Sequence, residues 1–458
     1  MIRKLAIAAA LLASLSGSPA AFAQSQQDDL DARYDRALAA GYKALFLCSA
    51  IANAERGGVT RSAESVHQWE LTGIQSPLDQ IVQDLPYDIM RADNGTGVLS
   101  FVRVTWAQDM PPRIAYHKTQ NGCSLGPIGM EEPPKRDVLP RSYPDAIVND
   151  HSRIIPKNLT GVFEGAFSQK YGNGARTTAV IVSGKEGDGV WRYANGFGPA
   201  TPQRTWSVAK SIAATLVGTA VHDGAASGQS SAGVGTDEDD PRRAITIDHM
   251  LRMASGRYSD TPGNRTDPIY WGGAIVGERA AAWPIVHQPG TVFRYANNDT
   301  LMAVKAVEAY LATHPPSDFF EKIGMHNTVA ETDHEGNYIL SSQVWSTAPD
   351  LMRLGQLYLN DGVWNGERIL PENWREYVST ASGPQPEGRP IGYGAGFWLF
   401  NASDGIPPDT FAAMGNRGQY VVIVPSRDIV IVRRGEDPAG HGFDIVSFTR
   451  DVLAAMGK

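Results

Sequence analysis

The chain of 458 residues has little cysteine: two residues, Cys48 and Cys123. Two cysteines this far apart exclude a thiolate zinc site, and the ten histidines lack ligand spacing. A zinc enzyme is therefore not expected. A surplus of basic residues is also missing. The net charge of −8 excludes the electrostatic footprint of a nucleic-acid-binding protein. Beyond the first residues there is no apolar run long enough to span a bilayer. No internal repeat is present, and no G-x-S-x-G, which argues against the nucleophile elbow of an α/β-hydrolase.

What is present begins at the N-terminus. Arg3 and Lys4 precede an apolar run from Leu5 to Leu15, followed by Ala21-Phe22-Ala23. This is the pattern of a secretory signal peptide over 1–23, cut before Gln24. A short membrane anchor is the alternative. Export in bacterial style, to the periplasm or beyond, follows from the signal reading, with no membrane span left after cleavage. Export permits a Cys48–Cys123 disulfide, two buried free thiols being the alternative. Leu30, Tyr34, Leu38, Tyr42, Leu45 and Phe46 fit an amphipathic helix over 28–51. Strand-like runs follow at 98–106 and 113–117, then a charged, proline-rich linker at 131–140. The expected organisation is an N-terminal accessory region over 24–145 and a main domain over 146–458. In the main domain, strands at 177–183 and 190–194 and again at 411–415, 419–424 and 428–433 enclose helices. That order predicts an α+β domain whose antiparallel sheet joins its two ends.

The stretch from Thr205 to Val221 is nearly all small or apolar, which predicts a buried helix. Ser207 and Lys210 stand three apart near its start and share a face. A serine needs a base to become a nucleophile, and burial can strip a lysine of its charge. The bland alternative is a capping serine and a lysine that snorkels to solvent. Tyr295 and Asn297, in a Y-x-N triplet after Pro289-Gly290, can supply a proton-shuttling phenol, one that lysine can push toward phenolate, and an amide that holds lysine and substrate. A core tyrosine is the alternative there. Tyr193-Ala-Asn195 and Tyr358-Leu-Asn360 are rival triplets, less well placed. In Met414-Gly-Asn-Arg-Gly-Gln-Tyr420, Gly418 would allow close approach and Gln419 would give a second oxyanion N–H. An ordinary hairpin turn reads equally from the same residues.

The order S-x-x-K, Y-x-N, glycine-containing strand edge resembles the serine β-lactamase and penicillin-binding-protein superfamily. It is most similar to the class C-like branch, which includes β-lactamase-like carboxylesterases and 6-aminohexanoate-dimer hydrolases. His249–Gly256, Ser346–Gly355 and Asn360-Asp-Gly362 strengthen the resemblance, which covers about Pro156 to the C-terminus. It implies a β-lactamase/transpeptidase-like fold, an antiparallel sheet flanked by helices with a mostly helical subdomain. It implies Ser207 as acylated nucleophile, Lys210 as base and Tyr295 as proton shuttle, with N–H groups of Ser207 and Gln419 as oxyanion hole and with no metal or organic cofactor. The implied partner is a small ester, amide or peptide. Asn416-Arg417-Gly418 matches the family's Lys-Thr-Gly, with Arg417 as a replacement charge for a substrate carboxylate. That departure favours an ester or amide hydrolase over a β-lactamase or D-alanyl-D-alanine carboxypeptidase. A catalytically weak peptidoglycan-binding protein is the third reading. Substrate choice is expected to lie with the stretches 223–240 and 257–278.

Overall fold

The computed structural model describes residues 19–135, 154–185, 187, 189–259 and 266–457. The expected signal peptide falls almost wholly outside these residues, as do half of the expected linker and part of the stretch 257–278.

Helix α1, Pro19–Arg56, starts ahead of the expected cleavage point and is longer than its spacing predicts. It is not half-exposed as the amphipathic pattern implies. Leu30 and Tyr34 are exposed, but 37–54 is buried on nearly every side. Small residues explain this. Ala39, Ala40, Gly41, Ala44, Ala50 and Ala52 let neighbours approach all round. By length and composition α1 could cross a membrane, yet its apolar stretch is packed entirely inside the protein.

Strands β1 (Tyr87–Arg91), β2 (Leu99–Val104), β3 (Arg113–Lys118) and β4 (Gly122–Leu125) form an antiparallel meander against α1. Cys48 of α1 is joined to Cys123 of β4 by a disulfide, with Cα atoms 6.1 Å apart.

Strands β5 (Thr177–Gly184) and β6 (Gly189–Tyr193) belong to a seven-stranded antiparallel sheet. The helix that opens with Ser207 is α2, Val208–His222, followed by α3, Asn297–Lys305, and α4, Ala348–Leu359. The sheet is completed by β7 (Gly392–Tyr393), β8 (Trp398–Leu399), β9 (Phe411–Gly415), β10 (Gln419–Val424) and β11 (Ile429–Gly435), and α5 (Ile445–Ala455) closes the chain. Strand order is β7-β8-β9-β10-β11-β5-β6, so the pairing of β11 with β5 joins the two ends of this region.

Period-two alternation sends Val421, Ile423, Val430 and Val432 to one face of the sheet and Val422, Val424, Ile429 and Ile431 to the other. Both faces are covered, which is why these strands read as continuous apolar runs. The first face packs on α2 and α4, the second on α5 and the helix Lys157–Ala166. Residues of α1 and β2–β4 belong to the same continuous core as α2 and α4.

Candidate active site

Ser207 is the N-cap residue of α2, but its side chain makes no capping hydrogen bond. The preceding Trp206 has φ +50, a left-handed conformation that is costly for a bulky residue. Its indole is held by packing on Trp271 and by the Arg204 guanidinium, 4.5 Å from the Trp206 ring. Ser207 itself takes φ −69 and ψ −5, helical angles and not the extended conformation from which a capping side chain reaches back.

Lys210 does not snorkel; it is 1% exposed. Its Nζ lies 3.1 Å from Ser207 Oγ, 2.5 Å from Asn297 Oδ1 and 3.0 Å from the Ser341 carbonyl. Asn297 is fixed in turn, its Nδ2 donating to Thr266 Oγ1 at 3.0 Å. Burial lowers the Lys210 amine to about 7, so much of it is neutral at neutral pH. A neutral amine has two N–H groups and one lone pair. Asn297 Oδ1 and the Ser341 carbonyl only accept. They take the two N–H groups and leave the lone pair for the Ser207 hydroxyl.

Tyr295 is the Y-x-N tyrosine that meets this pair. Its hydroxyl hydrogen-bonds Ser207, and Lys210 Nζ lies 5.0 Å from its ring centroid. Tyr393 and Trp398, on β7 and β8, pack against the ring. Burial pushes the phenol up to about 12, and its hydrogen bonds to Ser207 and Trp398 offset this only in part. Tyr295 therefore rests as a protonated phenol, not pushed toward phenolate. Of the rival triplets, Tyr358 bonds Thr215 in the core at 2.8 Å. Tyr193 ends β6 and is not among the residues that line the cleft at Ser207.

The turn between β9 and β10 corrects the reading of the third motif. Arg417 is 5% exposed, and its guanidinium is bound to Glu436 at 2.7 Å and to the carbonyls of Trp69, Thr72 and Gly73. It cannot also hold a substrate carboxylate. A Cβ on Gly418 would collide with the Arg433 guanidinium, so its close approach is to that side chain. Gln419 is fully buried, and its amide binds the Arg417 carbonyl at 3.2 Å and Arg434 Nε at 2.5 Å. None of the three lines the cleft at Ser207. The glycine that approaches Ser207 is Gly415, where a Cβ would collide with the Thr205 carbonyl and lie 3.1 Å from Ser207 N. The next residue, Asn416, lines the cleft. The only available signal was the glycine itself, and two glycines in this turn give the same signal.

The cleft holds about 410 Å³. Trp206, Ser207, Thr266, Asn297 and Asn416 line it, together with Tyr34, Asp35 and Leu38 of α1 and the segment Gln75–Leu78. Of the two stretches expected to set substrate choice, 257–278 contributes Thr266, Asp267, Tyr270 and Trp271. None of 223–240 lines the cleft among the described residues. Among those residues no group of histidine, cysteine and acidic side chains is arranged to hold a metal ion.

A family model described as Beta-lactamase matches residues 163–440. Among solved structures, a Bacillus anthracis protein assigned as a 6-aminohexanoate-dimer hydrolase superposes with a TM-score of 0.52 at 22% identity, over 62% of this chain and 79% of that one. A Bacteroides dorei protein assigned as a beta-lactamase gives 0.53 at 16% identity, over 66% and 99%. A penicillin-binding-protein homologue from Caulobacter crescentus gives 0.51 at 16%, over 66% and 98%. These likenesses carry the fold. No curated protein matches the chain.

Proposed function

Given that this chain belongs to the beta-lactamase family, we propose that it is an exported serine hydrolase that cleaves an ester or amide bond through an acyl-enzyme on Ser207. The observation that carries the reading is the surroundings of Lys210. Two acceptor-only partners use its N–H groups, and its lone pair is left toward the Ser207 hydroxyl.

In this reading Ser207 Oγ attacks the carbonyl carbon while its proton passes to Lys210 Nζ. The negative oxygen that forms is met by the N–H groups of Ser207, at the positive end of α2, and of Asn416. Collapse of the intermediate expels the alcohol or amine. Tyr295 gives it a proton and recovers one from Lys210. Water then attacks the ester of Ser207 by the reverse relay, releasing the acid and restoring the hydroxyl. No cofactor enters any step.

Export is supported by the N-terminal pattern and by the disulfide, which persists in an oxidising compartment. The ester or amide reading is favoured over a β-lactam or D-alanyl peptide because, among the described residues, the cleft lining holds no lysine or arginine for a substrate carboxylate.

The test is turnover of p-nitrophenyl butyrate. Ser207→Ala is expected to remove it at unchanged folded content, and the wild type to carry an acyl group on Ser207 by intact mass. Turnover that survives the substitution removes Ser207 from the mechanism. A penicillin is expected to leave neither an adduct nor a hydrolysed product.

A further inference from the structure

Among the described residues, two other cavities stand apart from the cleft. One lies among Val276, Leu301, Lys305 and Tyr338; the other, among Leu216, His222, Tyr310 and Phe319, has polar groups that already pair with one another, Tyr310 with Asp223 and Lys322 with Glu367. The feature that carries an inference is the wall of the catalytic cleft that the N-terminal region supplies. The family match begins at residue 163, so this wall lies outside it.

We propose that α1 is a specificity element of the catalytic cleft, and that Asp35 together with Asp267 selects substrates bearing an ammonium group. The proposal rests on the serine hydrolase reading of Ser207. The charged side chains lining the cleft among the described residues are these two carboxylates; no lysine, arginine or histidine faces it there. Neither carboxylate is in an ion pair among the described residues. Arg279 and Arg113 act on Tyr34, which lines the cleft. Arg113 is already committed to the carbonyls of Ala37, Gly126 and Gly272.

Two consequences of the geometry agree. Burial holds Asp35 above the usual carboxylate range, with Asp31 adding to it. Burial does the same to Asp267, where Asp35 adds to the rise and the Trp271 indole offsets part of it. Both acids thus stand in a site that disfavours their charge, and an entering cation relieves that cost while a carboxylate worsens it. Tyr34, Trp206, Tyr270 and Trp271 also line the cleft, and aromatic faces favour a cation as well.

The test separates binding from catalysis. Hexylammonium and hexanoate are titrated calorimetrically into the Ser207→Ala protein. Hexylammonium is expected to bind at least about tenfold more tightly, and Asp35→Asn or Asp267→Asn to erase most of that ratio. In the protein with Ser207 intact, kcat/KM for 6-aminohexanoyl p-nitroanilide is expected to exceed that for the heptanoyl analogue, with the ratio falling in both variants. Equal binding of the two ions, or a ratio untouched by either substitution, overturns the proposal. If either variant fails to fold, the same ratio is measured against ionic strength, and a ratio that does not fall with added salt overturns it equally. Absence of turnover with the cation preference intact defeats the hydrolase reading and leaves the cation site standing.

Discussion

The chemistry at Ser207 turns on how few partners Lys210 has. No carboxylate lies among the groups that shift it; burial alone lowers its amine to about 7. The base form is the neutral amine, so activity rises with pH through that value. The Tyr295 phenol, held at about 12, keeps its proton well above neutrality and so adds no descending limb below that value. The expected kcat/KM profile is one ascending limb with its midpoint near 7 and a plateau through pH 9. A bell centred near neutrality would contradict it. The same shift enters stability. The folded state releases the Lys210 proton near 7 and the unfolded state near 10.5, so the unfolded chain binds more protons between those values. Stability from this group rises with pH across that window, and below it the cost of a buried ammonium is fully present. Lys210→Met is expected to abolish turnover while holding or raising the urea midpoint at pH 6. Arg417 is the opposite case. Its removal strands Glu436 and the loop carbonyls of Trp69, Thr72 and Gly73. Arg417→Met should cost about 3–5 kcal/mol in urea unfolding. A loss confined to KM for carboxylate substrates would restore it to the cleft.

At the scale of elements, two close approaches set the cleft. Gly41 of α1 lies so near the Trp271 carbonyl that a Cβ would collide with it. Gly415, at the end of β9, meets Thr205 and Ser207 in the same way. Gly415→Ala is expected to lower kcat by tenfold or more with a small change in KM, because it moves the turn that carries the Asn416 N–H. Gly41→Ala is expected to act on substrate binding instead, since it displaces α1 from the segment bearing Asp267 and Trp271. Stopped-time assays on matched neutral and amino esters separate the two outcomes. The turn after Gly415 shows why a motif can be misread. Arg417 and Gly418 both take positive φ, +57 and +79, so the chain reverses within three residues and Gln419 pairs back onto Gly415. The reversal aims Arg417 and Gln419 at the N-terminal loop and at Arg434, and leaves Asn416 in the cleft.

For the whole molecule, the N-terminal region and the sheet share one apolar core. A buried ion pair, Arg61 with Glu70, stands beside the loop that Arg417 grips. Unfolding is therefore expected to be a single transition by fluorescence and circular dichroism. The Cys48–Cys123 bridge spans 75 residues. Replacing both cysteines by alanine should cost about 2–5 kcal/mol, read from the urea midpoint. Two separated transitions would instead mark the N-terminal region as a unit that folds alone.

The amino-acid sequence by itself determined what depends on local geometry. Helical spacing put Ser207 and Lys210 on one face, and pleat spacing set the apolar strands from β5 to β11, because both follow from the backbone over a few residues. The tertiary structure decided which surfaces meet. It selected Tyr295 among three triplets, took Arg417, Gly418 and Gln419 out of the cleft, and brought Asp35 of α1 beside Asp267 from a distant segment. Those outcomes rest on hairpin reversal and on packing between residues far apart in the chain, and neither the direction of a turn side chain nor a long-range neighbour is encoded in short-range spacing.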